Sequence, residues 1–189
     1  MAEQLRGGGV CLHGLEVAGA YHAGKKIGLG KAGSLLLPAL GRNLITNGDF
    51  ETGDLTGWTC TGAITIQTRE KSNYIVEPHG GNYWVMMGNV GSVLQSSFFH
   101  VKPGSTLEIS LWKAEAWEKR KHTVSMVLPD GTSVDILDLH AIDRKYLYQW
   151  LHFTTSWAVP ENTTSAALRI RNTALGYGRF DDISVRQII

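Results

Sequence analysis

Cysteine is scarce here: Cys11 and Cys60 are the two thiols in a chain of 189 residues. Two thiols cannot make a disulfide-rich scaffold, and no Cys/His spacing matches a structural zinc site. They are either two reduced, buried thiols or one bridge that ties the start of the chain to a domain of its own or a neighbouring subunit. Net charge is equally thin. Lys+Arg is 18 against 17 Asp+Glu, a formal +1, so the positive field of a nucleic-acid binder or a basic membrane-surface protein is missing. Long apolar runs are lacking too. Leu35-Leu36-Leu37-Pro38-Ala39-Leu40 falls far short of the ~18–20 residues that cross a bilayer as a helix. Met1-Ala2-Glu3-Gln4-Leu5-Arg6 contains an acid and leads into Gly7-Gly8-Gly9 rather than an apolar core. No secretory signal is therefore expected; the expected course is synthesis in the cytoplasm and a final place in a virion or extracellular surface assembly.

Catalytic patterns are also absent. The seven histidines are scattered, without a His-Glu-x-x-His spacing, and no Gly-x-Ser-x-Gly elbow occurs. Gly28-Leu29-Gly30-Lys31-Ala32-Gly33 satisfies a dinucleotide-loop string, but Pro38 follows too soon for the helix that such a loop opens. Asp135, Asp138, His140 and Asp143 form the densest acid/His group, on a strand end and turn where polar residues are expected anyway. Asn162-Thr163-Thr164 is a sequon in form alone. The chain reads as a non-enzyme.

Glycine, by contrast, is abundant and unevenly placed. Ten of the 22 fall in residues 1–41 and the other 12 in residues 42–189. The second piece has an ordinary share, and the first is enriched several-fold over the usual ~7%. A segment so rich in glycine cannot build a core alone. Yet Leu12, Leu15, Val17 and Tyr21 supply apolar anchors that a Gly/Ser spacer lacks. Residues 1–41 are therefore expected to be an extended assembly arm. It would contact copies of the chain or neighbouring structural proteins through Cys11, Leu12, Leu15, Val17 and Tyr21.

Residues 42–189 are patterned as short strands. In Thr106–Trp112, Leu107, Ile109 and Leu111 share one face, with Glu108, Ser110 and Trp112 on the other. Thr123–Leu128 and Ser133–Leu139 flank Pro129-Asp130-Gly131-Thr132, a hairpin turn in which Pro presets φ and Gly takes positive φ. Leu151–Val159, Ala166–Ile170 and Ile183–Ile188 add three more, with one conceivable helix at Ala114–Lys121. This spacing predicts an all-β sandwich or barrel.

Five segments carry a resemblance. Asn43-Leu44-Ile45-Thr46-Asn47-Gly48-Asp49-Phe50-Glu51-Thr52-Gly53, running on to Gly57-Trp58, is followed in order by His79-Gly80-Gly81-Asn82-Tyr83 and Val101-Lys102-Pro103-Gly104. Trp150–Pro160 and Phe180-Asp181-Asp182-Ile183-Ser184-Val185 complete the series. Together they resemble the carbohydrate-binding-module-like family with a galactose-binding-like jelly roll. The resemblance spans about residues 43–189 and implies a jelly-roll β-sandwich in which Trp58, Trp150, Phe153 and Trp157 pack the core.

A jelly roll brings its first and last strands together, so Phe50-Glu51 is expected to meet Asp181-Asp182. Asp181 shares its parity with Ile183 and Val185, which would turn its carboxylate inward, where it needs a partner. The resemblance implies a structural calcium held by Glu51, Asp181 and backbone oxygens near Asn47 and Gly81. The alternative is a carboxylate capped by backbone N–H groups. Trp112 alternates away from the core and, with Trp117, Tyr74, Glu115 and Lys113, would line an open face able to stack a polysaccharide. The same face could equally be covered by the arm, a neighbouring subunit or the loop Lys113–His122. The expected function is a non-catalytic structural or adhesive subunit of a multimeric surface or viral assembly, a virion, phage tail or fibre. The alternative is a stand-alone carbohydrate-binding module that recognises a polysaccharide through an aromatic face.

Overall fold

The computed structural model describes residues 21–22, 25–26, 39–69, 76–116 and 121–189. Among them lie β1 (Tyr21–His22), β2 (Lys25–Lys26), β3 (Leu40–Asn43), β4 (Trp58–Thr68), β5 (Tyr83–Ser96) and β6 (Phe99–His100). They are followed by β7 (Thr106–Ala114), β8 (His122–Val127), β9 (Ser133–Leu139), β10 (Leu151–Ala158), β11 (Ser165–Asn172) and β12 (Gly178–Ile188). A single turn of 3-10 helix, Arg144–Tyr146, is the one helical element among the described residues. β7 runs through Ala114 where a helix was conceivable, and 117–120 lie outside the described residues. Before Leu40, β1 and β2 pair with each other, Tyr21 opposite Lys26. The expected assembly residues Cys11, Leu12, Leu15 and Val17 lie outside the described residues, and of Tyr21 the backbone pairing alone is described.

From Leu40 on, the strands form one antiparallel sheet in the order β10-β7-β12-β5-β11-β8-β9, with β3 against β12, β4 against β5 and β6 against β11. The sheet is folded over on itself by β5. Its first half, Val85–Met87, pairs with Phe180–Gly178 of β12; its second half, Val93–Gln95, pairs with Arg171–Arg169 of β11. Between them Asn89 and Gly91 adopt positive φ, 61° and 84°. Ser92 Oγ donates to the Gly88 carbonyl and accepts the Ala63 N–H at 3.0 Å, which makes β4 turn the corner in step. β4 makes its own register shift there, between Thr61 and Ala63, at Gly62 (φ 82°). At the far edges, the Thr155 hydroxyl of β10 reaches the Ile136 carbonyl of β9. The result is a jelly roll of two facing layers.

The core lies between the layers and follows from period two. Leu107, Ile109 and Leu111 of β7 have no solvent exposure, as have Val85, Met87 and Leu94 of β5, Val124 and Met126 of β8, and Leu168 and Ile170 of β11. Each such side chain contributes roughly 1.5–3 kcal/mol by leaving water. Trp58 and Trp157 join this core, and Phe153 packs against it. The Pro129–Thr132 turn closes as expected: Leu128 N–H donates to Thr132 O, Gly131 has φ 87° and Asp130 Oδ1 caps Thr132. Cys60 is exposed rather than buried, because the corner at Gly62 sets β4 at the sheet edge.

A side chain at the corner is not tolerated. A Cβ on Gly62 would lie 2.3 Å from Ser92 Oγ, on a backbone that already requires positive φ. Gly62→Ala is expected to destabilise the body by roughly 2–3 kcal/mol. That is a fall of about 5–10 °C in melting temperature for a domain of this size, measured by circular dichroism against Gly91→Ala, whose Cβ meets nothing within 4 Å.

Candidate functional site

The strand order β10-β7-β12 and its register place three rows of side chains on the outer face of one layer. They are His152–Trp112–Asp181, Thr154–Ser110–Ser184 and Ser156–Glu108–Arg186. Trp112 is thus on the outer face, as its alternation predicts, and it is half-buried there. It does not stand bare. The His79 ring stacks on it at 3.8 Å between centroids and the His152 ring at 4.7 Å. Trp150 meets His79 edge-on at 6.0 Å, and its indole N–H donates to the Glu77 carbonyl at 2.7 Å. Trp150 therefore belongs to this outer cluster and not to the core. It shares parity with His152, and Leu151, not Trp150, begins the strand. His79 and His152 carried no sequence signal beyond their place beside the motifs. His152 Nε2 lies 2.7 Å from Ser110 Oγ, and burial pushes its pKa down, with Glu108 opposing.

In the lower two rows, Ser110 and Glu108 of β7 with Ser184 and Arg186 of β12 form the floor of a groove of about 530 Å³. Asn43, Asn47, Gly48 and Asp49 wall it on the side of the first loop. Asp49, Glu108 and Asp182 line it with one cation, Arg186, so the groove is acidic. Asp49 caps the Glu51 N–H, and Asp182 bonds His79 Nδ1 at 2.5 Å.

Lys113 and Glu115 do not line this face. Continuing the alternation of Leu107, Ile109 and Leu111 carries both inward, and both side chains have no exposure. They form an ion pair at 2.5 Å; Lys113 Nζ donates to the Leu139 and His140 carbonyls, and Glu115 accepts the Ile142 N–H. Burial lowers the Lys113 pKa and Glu115 opposes that shift. This pair ties the end of β7 to the 139–142 connection. Trp117 and Tyr74 lie outside the described residues. Asp135 and Asp138 accept hydroxyls of Ser125 and Thr123 in separate rows of the other layer, while His140 serves Lys113 through its carbonyl. Asp143 opens the 3-10 turn, so these four do not converge.

Asp181 is buried, but not by pointing into the core. β12 carries one extra residue between Asp181, opposite Trp112, and Ser184, opposite Ser110. Asp182 takes φ 47° at this bulge. Asp181 therefore faces out with Trp112, while Ile183 and Val185, of the same sequence parity, face in. It is covered by the 79–81 loop, whose His79 and Gly80 N–H groups donate to its Oδ2 at 3.0 and 3.2 Å; the Asp182 N–H donates to Oδ1 at 2.8 Å. Burial raises its pKa to about 7, these N–H bonds opposing and Asp182 adding to the rise.

The expected metal group meets this loop from two sides. Glu51 accepts the Asn82 and Tyr83 N–H groups on Oε1, and a Cβ on Gly81 would lie 2.2 Å from its carboxyl carbon. Asn47 is occupied otherwise: its carbonyl accepts the Trp58 indole N–H and its amide donates to Asp54 and Thr56. Glu51 and Asp181 are thus served by peptide N–H donors, and Asn47 by its own turn. These donors are the backbone N–H groups of the alternative, and a bound calcium ion, which takes oxygens, would have to share the Glu51 and Asp181 carboxylates with them.

No family model matches the sequence, and no curated relative matches it. Among solved structures, the chain is similar to TmCBM61, solved in complex with beta-1,4-galactotriose. The TM-score is 0.56 at 17% identity, over 76% of this chain and 97% of that one. The CBM22-1 xylan-binding domain from Paenibacillus barcinonensis Xyn10C aligns with TM-score 0.52 at 15% identity, over 82% and 98%. The enzymatically active domain of Bacteriophage CBA120 tailspike protein 4 aligns with TM-score 0.56 at 13% identity, over 77% of this chain and about a fifth of the tailspike chain (21%). The fold is that of carbohydrate-binding modules.

Two measurements follow from the loop geometry. If N–H groups alone serve the carboxylates, calcium and chelator should give melting temperatures within about 2 °C; a structural calcium worth ~2 kcal/mol would separate them by roughly 4–8 °C. In chelator-treated protein, the raised Asp181 pKa favours the folded state when protonated. Its contribution is fully present below the ordinary value of 3.8 and is lost as pH rises towards about 7. Stability should therefore fall from pH 4 to 7 by at most about 4 kcal/mol from this group, a slope that Asp181→Asn flattens in urea titrations.

Proposed function

We propose that this chain is a non-catalytic adhesive module that presents a saccharide-binding jelly roll on a larger surface or viral assembly, with residues 1–41 as its assembly segment. The observation that carries the reading is the polar groove on the outer face of β7 and β12. Its floor offers Glu108, Ser110, Ser184 and Arg186, a set of donors and acceptors suited to vicinal hydroxyls, with Trp112 at one end. The stacked imidazoles cover much of the Trp112 ring, so a sugar meets its edge and recognition rests mainly on hydrogen bonds. TmCBM61 and the CBM22-1 domain support the saccharide half of the reading by fold. The tailspike supports the particle half, since there the same fold is part of a far longer phage chain.

Calorimetry of the full chain with β-1,4-galactan and xylan oligosaccharides tests the first half. Saturable binding that weakens at least tenfold in Glu108→Ala and in Arg186→Ala is expected; no heat with either oligosaccharide removes the saccharide reading. Light scattering tests the second half. Full-length protein is expected to form oligomers that a chain starting at Leu40 does not form, and equal masses would remove the assembly segment from the proposal.

A further inference from the structure

We propose that the outer face of the opposite layer, on β4, β5 and β11, is a second ligand site for a carboxylate- or sulfate-bearing saccharide, with Arg169 and Arg171 as the anion-binding groups. Leu168 and Ile170 face the core without exposure, so Arg169 and Arg171 face out by period two. The register extends each into a row across five strands: Thr59–Gln95–Arg169–Ser125–Asp135 and Thr61–Val93–Arg171–Thr123–Asp138. Over β4, β5 and β11 these rows enclose a shallow groove of about 300 Å³, whose lining holds both guanidinium groups and no carboxylate.

The acids of the same rows are engaged on the far side. Asp135 accepts the Ser125 hydroxyl and Asp138 the Thr123 hydroxyl. Arg171 Nη2 is 3.8 Å from Asp135 with both side chains about half exposed, a weak pair in water. Arg169 Nε donates to the neutral Gln95 Oε1 at 2.9 Å, which orients the guanidinium in the groove without neutralising it. Two like charges two residues apart on one strand face, roughly 6.5–7 Å along it, repel each other, and an anion between them relieves this. A planar guanidinium meets carboxylate or sulfate oxygens with paired hydrogen bonds. Thr59 and Thr61 offer hydroxyls to the rest of a sugar ring, and Val93 an apolar floor. The two layers therefore have opposite preferences: the groove at Glu108 has three acids and one cation and disfavours an anionic polymer, whereas this one attracts it. This site stands independently of the saccharide reading of the first groove.

Affinity electrophoresis of the full chain in gels containing polygalacturonate, dextran sulfate or neutral dextran tests the proposal. Retardation by at least one anionic polymer and none by dextran is expected, and the polymer that acts identifies carboxylate or sulfate. Arg169→Gln with Arg171→Gln should weaken that retardation at least tenfold, and added salt should weaken it too. Arg169→Lys with Arg171→Lys should restore part of it. Equal melting temperatures of the variants secure the comparison. Unchanged retardation of the double glutamine variant, or equal retardation by dextran, would overturn the proposal. So would self-association by light scattering that the double glutamine variant loses while polymers have no effect, since the groove would then seat the acidic face of a second copy.

Discussion

One extra residue in β12 governs the outer face of the first layer. Where Trp112 and Ser110 of β7 are two residues apart, Asp181 and Ser184 opposite them are three apart. The bulge lets Asp181 stand beside Trp112 while Ile183 and Val185 remain in the core. It is held from the other end of the chain: Ile183 N–H donates to Gly48 O, and Asn43 accepts the Val185 N–H while donating to Ile183 O. Gly48 sits so close that a Cβ there would lie 2.0 Å from the Ile183 carbonyl oxygen. The Asn47-Gly48-Asp49 loop can wall the groove because this approach is possible.

From that constraint the histidine–tryptophan cluster follows. Asp182 is set by the bulge to receive His79 Nδ1, and Asp181 draws the His79 and Gly80 N–H groups over itself. The loop so anchored places the His79 ring on Trp112, with Trp150 against its edge. The upper row is thereby closed and the lower two rows are left as a polar floor. The β4–β5 corner plays the equivalent part for the fold as a whole. Ser92 bonds both strands of the hairpin at Gly88 and Ala63, so the layers face each other and turn unlike grooves to solvent, one lined by three acids and Arg186, the other by Arg169 and Arg171 without a carboxylate.

Much of the body was legible in its residues. β7, the β8–β9 hairpin, β10 and β11 fall within one to a few residues of where alternation and turn chemistry put them. The five resembling segments named the jelly roll that the solved structures share. β4, with 11 residues, and β5, the longest strand with 14, gave no clear alternation because Gly62, Gly88 and Gly91 interrupt their periods at the corner. The inward course of Lys113 and Glu115 was legible, since they continue the parity of Leu111, but charge argued against it. Their pairing with each other and with three backbone groups is what permits the burial.

Alternation, turn residues and loop motifs are local, so the sequence by itself determined which stretches become strands, which faces carry leucine and isoleucine, and that Trp112 turns outward. Tertiary structure alone decided where parity breaks. A bulge inverts every side chain beyond it at the cost of one residue, and nothing in Asp181-Asp182-Ile183 marks it until Trp112 and Gly48 are beside it. It likewise decided which distant groups meet: His79 on Trp112, Trp150 on Glu77, and Arg169 on Gln95. Those neighbours are set by sheet register and by the loop anchored on Asp181 and Asp182, which bring together residues 33 to 74 positions apart and leave no trace in either segment alone.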